Sequence, residues 1–337
     1  MMTMSSAIPK AVLYYNPQSV WSSAVLLALN EKGYGEDEVD LRVVDINKGE
    51  EFSPTFLRLS PKAMVPTLVA PLRGSLASDV ASRFKAISDT KALIEFLDKS
   101  RSASSHTHTT SSAPAPSLSP ATVAFATASS KIIDSIQADE VSPDHLQYLN
   151  ARDQASLQEL GKSLVPILES RRAAIVEYLT ECEHETIRMS EKTKAFWREK
   201  QAEVDTALSV FSGNDIDGYL SRSRNTWEIT IPGVLTRVNE EFIGPYALGD
   251  QVSIADIHLS AWLSHLVRLA GGSPSDNGDV AIKRVEKHIG NGFVFPEDFL
   301  PSAFSPFTEE KAVARSKLAA FWDAMKSRSS WKKVYAS

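Results

Sequence analysis

The chain has 337 residues, of which 43% are hydrophobic and 23% charged, and its formal net charge is -6. This composition predicts a globular protein long enough for two domains, and it excludes a general nucleic-acid surface, because phosphate contacts need clustered lysines and arginines. The single cysteine, Cys182, excludes a disulfide framework and a multi-cysteine metal site. Without a signal-peptide pattern or a run of about 18 apolar residues, we expect a cytoplasmic protein with no membrane span.

Strand and helix signals alternate in the first part of the chain. AVLYY, residues 11–15, is typical of a strand, and the following helical spacing of apolar residues ends at Gly33. A second strand, DLRVVDI, precedes Ser53 and Pro54, which form a cap and first-turn pair. A strand after Pro66, a strand at FKAI and a helix from about Asp89 complete the order βαβ-α-ββα. This order predicts a parallel first pair and an antiparallel last pair.

The composition changes abruptly at residues 100–120, which are almost wholly Ser, Thr, Ala, Pro and His. Such a segment has too few apolar side chains to offset the entropy of ordering it. We therefore predict a flexible linker over residues 100–120, between a first domain over residues 9–99 and a second over residues 121–337. His106 and His108 in this tract are more typical of polar filler than of a metal site, and no metal site is predicted.

Helical patterns dominate after the linker. In GDQVSIADIHLSAWL, Ser253 and Asp256 have capping-box spacing before a long apolar helix. A helix is predicted from Ser163, with Pro166 in its first turn, and a last amphipathic helix is predicted over residues 309–327. The charged stretch 181–203 is predicted to be a helical insertion. The second domain is therefore predicted to be all-α.

Pro66 interrupts an apolar strand in SPKAMVPTLVAPL, although proline cannot donate to a β ladder. With LYYNPQSVWSSAVLLALNEKG before it, and SDTKALIEFLD and GDQVSIADIHLSAWL after it, this stretch resembles the cytosolic glutathione transferase family. The resemblance implies an α/β plus all-α fold, in which a thioredoxin-like βαβ-α-ββα domain precedes an all-helical domain. The long linker and the charged insertion depart from the family pattern.

The resemblance also implies where glutathione binds. In the family the proline is cis, and the backbone of the preceding residue, here Val65, pairs with the cysteinyl backbone of glutathione. An acidic and a hydroxyl residue opening the third helix, here Asp89 and Thr90, hold the γ-glutamyl end. Asp89 can take the ligand ammonium, and the free N–H groups of the helix start can take its carboxylate. The alternative is that Asp89 only caps the helix.

Ser19 stands at the position where the resemblance puts the thiol-activating residue of serine-type enzymes. A hydroxyl hydrogen bond and a helix N-terminus both favour a thiolate. Ser22, in the next turn, is the alternative, and Tyr14 or Tyr15 could compete. Otherwise Ser19 is simply the helix N-cap.

The remaining ligand contacts fit the family less well. Glu51 and Met64 stand where several classes carry amide or basic residues, and a carboxylate at Glu51 that pointed inward would repel the glycyl carboxylate of glutathione. Lys48 is the substitute candidate. Candidates for the electrophile pocket are Trp21, Tyr219, Arg224 and Trp227, although aromatic residues at helical spacing are more often core.

Together these features predict a cytoplasmic glutathione transferase, with a role in detoxification. It would activate the glutathione thiol as a thiolate that attacks an apolar or aromatic electrophile, in conjugation, ether cleavage or isomerisation. Glutathione is expected as co-substrate, with no tightly bound cofactor, and a homodimer is expected unless the insertions cover the dimer surface. The alternative is a non-catalytic binding or scaffold protein of the same fold.

Overall fold

The computed structural model describes residues 10–71, 84–102, 110–300 and 314–335. Its sheet has the strand order β2-β1-β3-β4, with β1 parallel to β2 and antiparallel to β3, and β3 antiparallel to β4. The strands are β1 (Ala11–Tyr15), β2 (Val39–Val43), β3 (Thr67–Pro71) and β4 (Phe84–Ile87). This mixed sheet confirms the predicted parallel and antiparallel pairs. The connection between β3 and β4, residues 72–83, lies outside the described residues.

Within the described ranges, three helices accompany the sheet, and the N-cap residue of each accepts a hydrogen bond from the first helical turn. They are α1 (Val20–Glu31), capped by Ser19, α2 (Pro54–Leu57), capped by Ser53, and α3 (Thr90–Ser100), capped by Asp89. A 3-10 turn, Glu50–Phe52, precedes α2. The thioredoxin-like order βαβ-α-ββα is thus confirmed.

The later described residues form helices, turns and isolated bridges, which confirms the predicted all-α region. The helices are α4 (Val123–Ile136), α5 (Pro143–Tyr148), α6 (Gln154–Glu183), α7 (Glu191–Phe211), α8 (Ile216–Asn225), α9 (Ile231–Glu241), α10 (Ile254–Leu269), α11 (Gly278–Ile289), α12 (Lys317–Ser327) and α13 (Ser329–Tyr335). Among the described helices, none is long and apolar enough to cross a membrane.

Helix α6 begins earlier than predicted. Asp153 and Ser156 form a capping box that starts the helix at Gln154, so Pro166 lies inside α6 and not in its first turn. The predicted start was too late, because the helical apolar spacing already begins at Leu157 and Leu160, before Leu164. The charged insertion also differs from one continuous helix, since α6 ends at Glu183 and α7 begins at Glu191.

Helix α12 begins at Lys317, capped by Ser316, whereas the predicted last helix started at residue 309. Residues 309–313 lie outside the described residues.

Helix α10 is the central helix of the second domain, and its N-terminus is built around a buried carboxylate. Asp256 is fully buried and accepts hydrogen bonds from the Ser253 N–H (2.8 Å), the Ser253 hydroxyl (2.6 Å) and the Ala247 N–H (2.7 Å). Burial raises the pKa of Asp256 to about 6. The predicted pairing of Ser253 with Asp256 is therefore present, and it fixes the helix that packs on α1.

The described end of the predicted linker is held on the first domain. Asp98 pairs with the buried Lys32 at 2.8 Å and accepts the N–H groups of Leu118 (2.9 Å) and Ser119 (3.0 Å). Lys32 also donates to the Pro116 carbonyl at 2.6 Å. The amino-acid composition predicted a flexible segment here. Composition does not reveal that main-chain groups of this segment bond to a buried ion pair. His106 and His108 lie outside the described residues, and the domain boundaries stay a prediction.

The two domains share one continuous core, and α13 packs against α1. At this contact the buried Glu31 accepts two hydrogen bonds from Arg328, at 2.7 Å from Nε and 2.6 Å from Nη2, and a third from the Ser330 hydroxyl. A bidentate, fully hydrogen-bonded pair of this kind is specific in geometry. Helix α1, whose N-cap is Ser19, is therefore fixed at its C-terminal end by residues of the second domain.

Candidate functional site

Four chain segments meet at one end of the sheet. Because β1 and β2 are parallel, both end there, whereas the antiparallel β3 begins there and β4 ends there. Neighbouring strands are about 4.8 Å apart, so the segments at Ser19, Val65 and Asp89 lie close together. The register pairs that fix this arrangement are Tyr15 with Val43, Tyr14 with Thr67, and Leu68 with Ile87.

Ser19 lies at the positive end of α1. Its Oγ accepts the Ser22 N–H at 3.3 Å, and its own N–H donates to the Asn16 carbonyl at 3.0 Å. The residue is half-buried, whereas Ser22 is fully buried and its hydroxyl accepts the Asn16 N–H at 3.3 Å. Of these two serines, Ser19 is the one with a solvent-accessible side, next to the free N–H groups of the helix start.

The competing tyrosines have different environments. The Tyr14 hydroxyl lies 3.4 Å from Arg42 Nη1, and its ring packs edge-on against Phe56 at 5.9 Å between centroids. Tyr15 packs against the main core. Tyr14 is thus directed towards β2 and α2, away from the start of α1.

Asn16 is a site residue that sequence reasoning missed. It is buried, its Nδ2 donates to the Val44 carbonyl (2.8 Å), and its Oδ1 accepts the Gln18 N–H (2.8 Å). These bonds fix the turn before Ser19 against the end of β2. The Asn-Pro dipeptide signals a turn, but the bond across to Val44 has no local signal.

Val65 precedes Pro66 across a cis peptide bond. Among the described residues, no hydrogen bond engages the backbone N–H or C=O of Val65. The Thr67 hydroxyl donates to the Met64 carbonyl (2.7 Å) and lies 2.9 Å from the Ser88 hydroxyl. This pair ties the start of β3 to the end of β4, and leaves the main chain at Val65 available to an extended ligand.

Asp89 caps α3 with one oxygen only. Its Oδ1 accepts the Ala92 N–H at 2.7 Å, the side chain is exposed, and Oδ2 has no partner among the described residues. Thr90, the first residue of α3, is 8% exposed. The capping role of Asp89 is therefore present, and a second oxygen remains for a ligand.

Glu51 is directed towards helix α6 and not into the open site. It is 2% exposed, and its Oε1 lies 3.1 Å from Nη2 of Arg171 on α6, without the alignment of a hydrogen bond. Burial raises the pKa of Glu51 to about 7, although Arg171 opposes the shift. Lys48 remains exposed and pairs with Asp45 at 3.2 Å.

Helices α6 and α7 pack side by side as a hairpin that contacts the loop before α2. Trp197 on α7 is fully buried, and its Nε1 donates to the Phe52 carbonyl at 2.9 Å. Gly49 has a φ of +74°, and a Cβ added there would meet the Ala174 Cβ at 2.9 Å. The hairpin thus packs on the loop that carries Lys48, a contact that the sequence did not indicate.

Trp21 is the second residue of α1, two positions after Ser19, and is half-buried. Its ring lies 5.9 Å from that of His258, whose Nδ1 is 3.2 Å from Gln137 Nε2. Burial lowers the pKa of His258 to about 3, so this imidazole is neutral. Trp21 therefore keeps a partly accessible side chain, whereas His258 itself is fully buried.

The other three candidates for the electrophile pocket do not lie beside Trp21. Tyr219 and Trp227 are fully buried, and their polar atoms donate to the main-chain carbonyls of Tyr148 (2.6 Å) and Leu149 (2.9 Å). With no accessible surface, they do not support the pocket-wall prediction. Arg224 is exposed and donates to the Arg152 carbonyl at 3.1 Å.

Two further observations on the described residues concern a surface groove and possible metal ligands. An open groove of about 830 Å³ runs along α6 and α7, over Ala173, Val176 and Leu208, apart from the residues named above as ligand candidates. Within the described ranges, no group of three or more His, Cys, Asp or Glu side chains is placed to hold a metal ion.

The chain is similar to several known proteins. Residues 18–100 match the family model of the glutathione S-transferase N-terminal domain. A glutathione transferase homologue from Sulfitobacter, with bound glutathione, is 15% identical, with 96% of each chain covered and a TM-score of 0.45. Glutathione transferase Omega 3C from Trametes versicolor is 16% identical, with 97% of this chain and 84% of that chain covered and a TM-score of 0.46.

A glutathione transferase from Burkholderia graminis, with two glutathione molecules bound per subunit, is 14% identical, with 96% of this chain and 87% of that chain covered and a TM-score of 0.48. The segment that matches the family model contains Ser19, Val65 and Asp89. Residues 18–100 of this chain thus resemble the N-terminal domain of glutathione S-transferases.

Proposed function

We propose that this protein is a glutathione transferase that binds glutathione at the shared end of the four strands and activates its thiol with Ser19. The observation that carries the proposal is the meeting there of three groups with unused bonding capacity. They are the accessible hydroxyl of Ser19, the unpartnered main chain of Val65 and the second carboxylate oxygen of Asp89. Each corresponds to a different part of an extended tripeptide.

Ser19 would act by stabilising the thiolate. A free thiol has a pKa of about 8.5, and the thiolate is the nucleophile. Each pKa unit of stabilisation corresponds to about 1.4 kcal/mol, which a hydroxyl hydrogen bond and the α1 N-terminus can supply together. The thiolate sulfur then forms a bond to an electrophilic carbon, and the leaving group departs with the electron pair.

The electrophile would be apolar or aromatic, because the half-buried ring of Trp21 lies at the start of α1. Conjugation, ether cleavage and isomerisation all begin from the same thiolate. Tyr219 and Trp227 are left out of this proposal because of their burial.

The test of the proposal is a pH titration of the bound glutathione thiol, followed by thiolate ultraviolet absorbance with the protein in excess. A pKa well below that of free glutathione is expected. Binding with an unshifted pKa would instead support the second candidate, a non-catalytic binding or scaffold protein. That candidate is favoured by the hairpin, which packs through Trp197 on the loop beside the site. Absence of binding would contradict both.

Replacing Asp89 with asparagine should weaken glutathione binding by about tenfold, because a charge-assisted hydrogen bond to the ligand ammonium is replaced by a neutral one. Turnover at saturating glutathione should change little. Isothermal titration with glutathione measures the effect. The matched control is Asp153→Asn at the cap of α6, which changes the charge and cap equally but away from the site. Equal dissociation constants for wild type and Asp89→Asn would leave Asp89 as a cap alone.

We also propose a cytoplasmic homodimer with a role in detoxification. Sedimentation velocity of the full chain tests the oligomeric state, and a single monomeric species would contradict this part of the proposal.

A further inference from the structure

A second pocket, which includes none of the residues proposed to bind glutathione, is lined by basic residues and one alanine. It has a volume of about 380 Å³ and lies where α10 and α11 end. Its lining residues are Arg152, Ala270, Arg284, Lys287 and His288. No carboxylate is among them, although the whole chain has a net charge of -6.

Arg152 is held in place by uncharged partners. Its guanidinium donates to the carbonyls of His288 and, at 3.0 Å, of Ile289, at the end of α11. It also lies 5.8 Å from the centre of the Trp227 ring. These contacts satisfy carbonyl groups that would otherwise repel an anion, while the positive charge remains and further N–H donors stay free.

The cations on α11 are only partly neutralised. Arg284 pairs with Asp276 at 3.4 Å and donates to the Gly271 carbonyl at 3.3 Å. Lys287 is exposed and has no hydrogen-bond or ion-pair partner among the described residues. Capping of helix ends accounts for the carbonyl bonds of Arg152 and Arg284. Helix capping does not explain the charge of Lys287, nor the open volume between Lys287 and the two arginines.

His288 forms the remaining wall. Its Nε2 lies 2.8 Å from Asn150 Oδ1, and its ring meets that of Trp227 edge-on at 4.4 Å. Burial and the neighbouring Arg152 lower the pKa of His288 to about 4. Glu228 and Asp153 are the acidic groups that act on Arg152 from outside the lining, and Glu228 also accepts Asn291 Nδ2 at 2.8 Å.

We propose that this pocket binds a phosphate-type anion, either inorganic phosphate or the phosphoryl group of a small metabolite. Guanidinium groups suit phosphate oxygens in a bidentate geometry, and a lysine adds a mobile point charge. The volume falls within the range of small-ligand sites. Because the arginines are already fixed by protein contacts, binding requires little further ordering.

The test uses pyrophosphate as probe, added to the full chain at constant ionic strength and measured by isothermal titration. We expect Lys287→Gln to weaken its binding about tenfold, through the loss of one charge contact. The matched control is Lys283→Gln, which removes the same charge from an exposed position on the same helix outside the pocket lining, and should leave the affinity unchanged. Equal weakening by both variants would mean that pyrophosphate responds only to the overall charge of the protein, and this result would overturn the proposal.

The second readout is the proton NMR titration of His288. A bound anion should raise the pKa of this imidazole, since it offsets Arg152, and the rise should disappear in Lys287→Gln. Inorganic phosphate and phosphoserine, compared at equal ionic strength, distinguish the two sources of the phosphoryl group. No heat of binding with any probe, or a His288 pKa that does not respond, would overturn the proposal. Neither outcome involves glutathione, so the proposed transferase activity is tested separately.

Discussion

Replacing Ser19 with alanine should lower kcat by about 10- to 100-fold, while the dissociation constant of glutathione stays nearly unchanged. A hydrogen bond to a charged group contributes about 1.5–3 kcal/mol, and this one would favour the thiolate over the thiol. The γ-glutamyl contacts at Asp89 and Thr90 would remain. Steady-state kinetics with an aromatic electrophile, together with the pKa of the bound thiol, measure the effect.

Three variants separate chemistry from helix capping. Ser19→Thr keeps a hydroxyl and a cap and should retain most of the turnover. Ser316→Ala removes the equivalent cap of α12, where the serine accepts the Ala319 N–H, and should cost about 1 kcal/mol of stability with no effect on kcat. Ser22→Ala tests the alternative hydroxyl. Unchanged turnover in Ser19→Ala would remove Ser19 from the mechanism.

Replacing Glu51 with glutamine should stabilise the protein at alkaline pH and remove a pH-dependent loss of stability. The pKa of Glu51 is raised from 4.5 to about 7 in the folded chain. A carboxyl with a raised pKa contributes stability that is fully present below about pH 4.5 and is lost as the pH rises through about 7. The shift corresponds to about 3 kcal/mol, so the wild type should lose about 2–3 kcal/mol between pH 5 and pH 8 relative to Glu51→Gln.

Urea denaturation at several pH values measures this difference. The matched control is Glu199→Gln, which removes the same charge from an exposed position on α7, in the same hairpin. It should have the pH profile of the wild type. If Glu51→Gln also followed that profile, the Arg171 guanidinium would compensate the burial of Glu51 completely, and the hairpin contact would not depend on pH.

The elements of the fold could be predicted because their signals are local. The strand at AVLYY, the Ser53-Pro54 pair and the spacing of Ser253 and Asp256 each act within one or two turns of chain. The site segments could be placed because each candidate lies at the start or end of such an element. Sheet topology then brings Ser19, Val65 and Asp89 to one end.

The parts that could not be predicted depend on distant partners or on burial. The pair between Glu51 and Arg171 joins positions far apart in sequence, and no local pattern favours it. Trp21 and Trp227 both lie at helical spacing, yet Trp21 is half-buried and Trp227 fully buried, because helical periodicity alone does not give the degree of burial. The anchored part of the linker likewise depends on the buried pair of Lys32 and Asp98.

The contact of Glu31 with Arg328 and Ser330 has a consequence for synthesis of the chain. Glu31 leaves the ribosome 297 residues ahead of Arg328, so a carboxylate that becomes buried lacks its native partner while that length of chain is synthesised. Domains usually fold as units during synthesis, N-terminal first. Here the C-terminal end of α1 in the nascent first domain would stay hydrated until residues 328–331 emerge. On a ribosome that stalls before that point, the sheet would be present but α1 would not yet be packed in its final position.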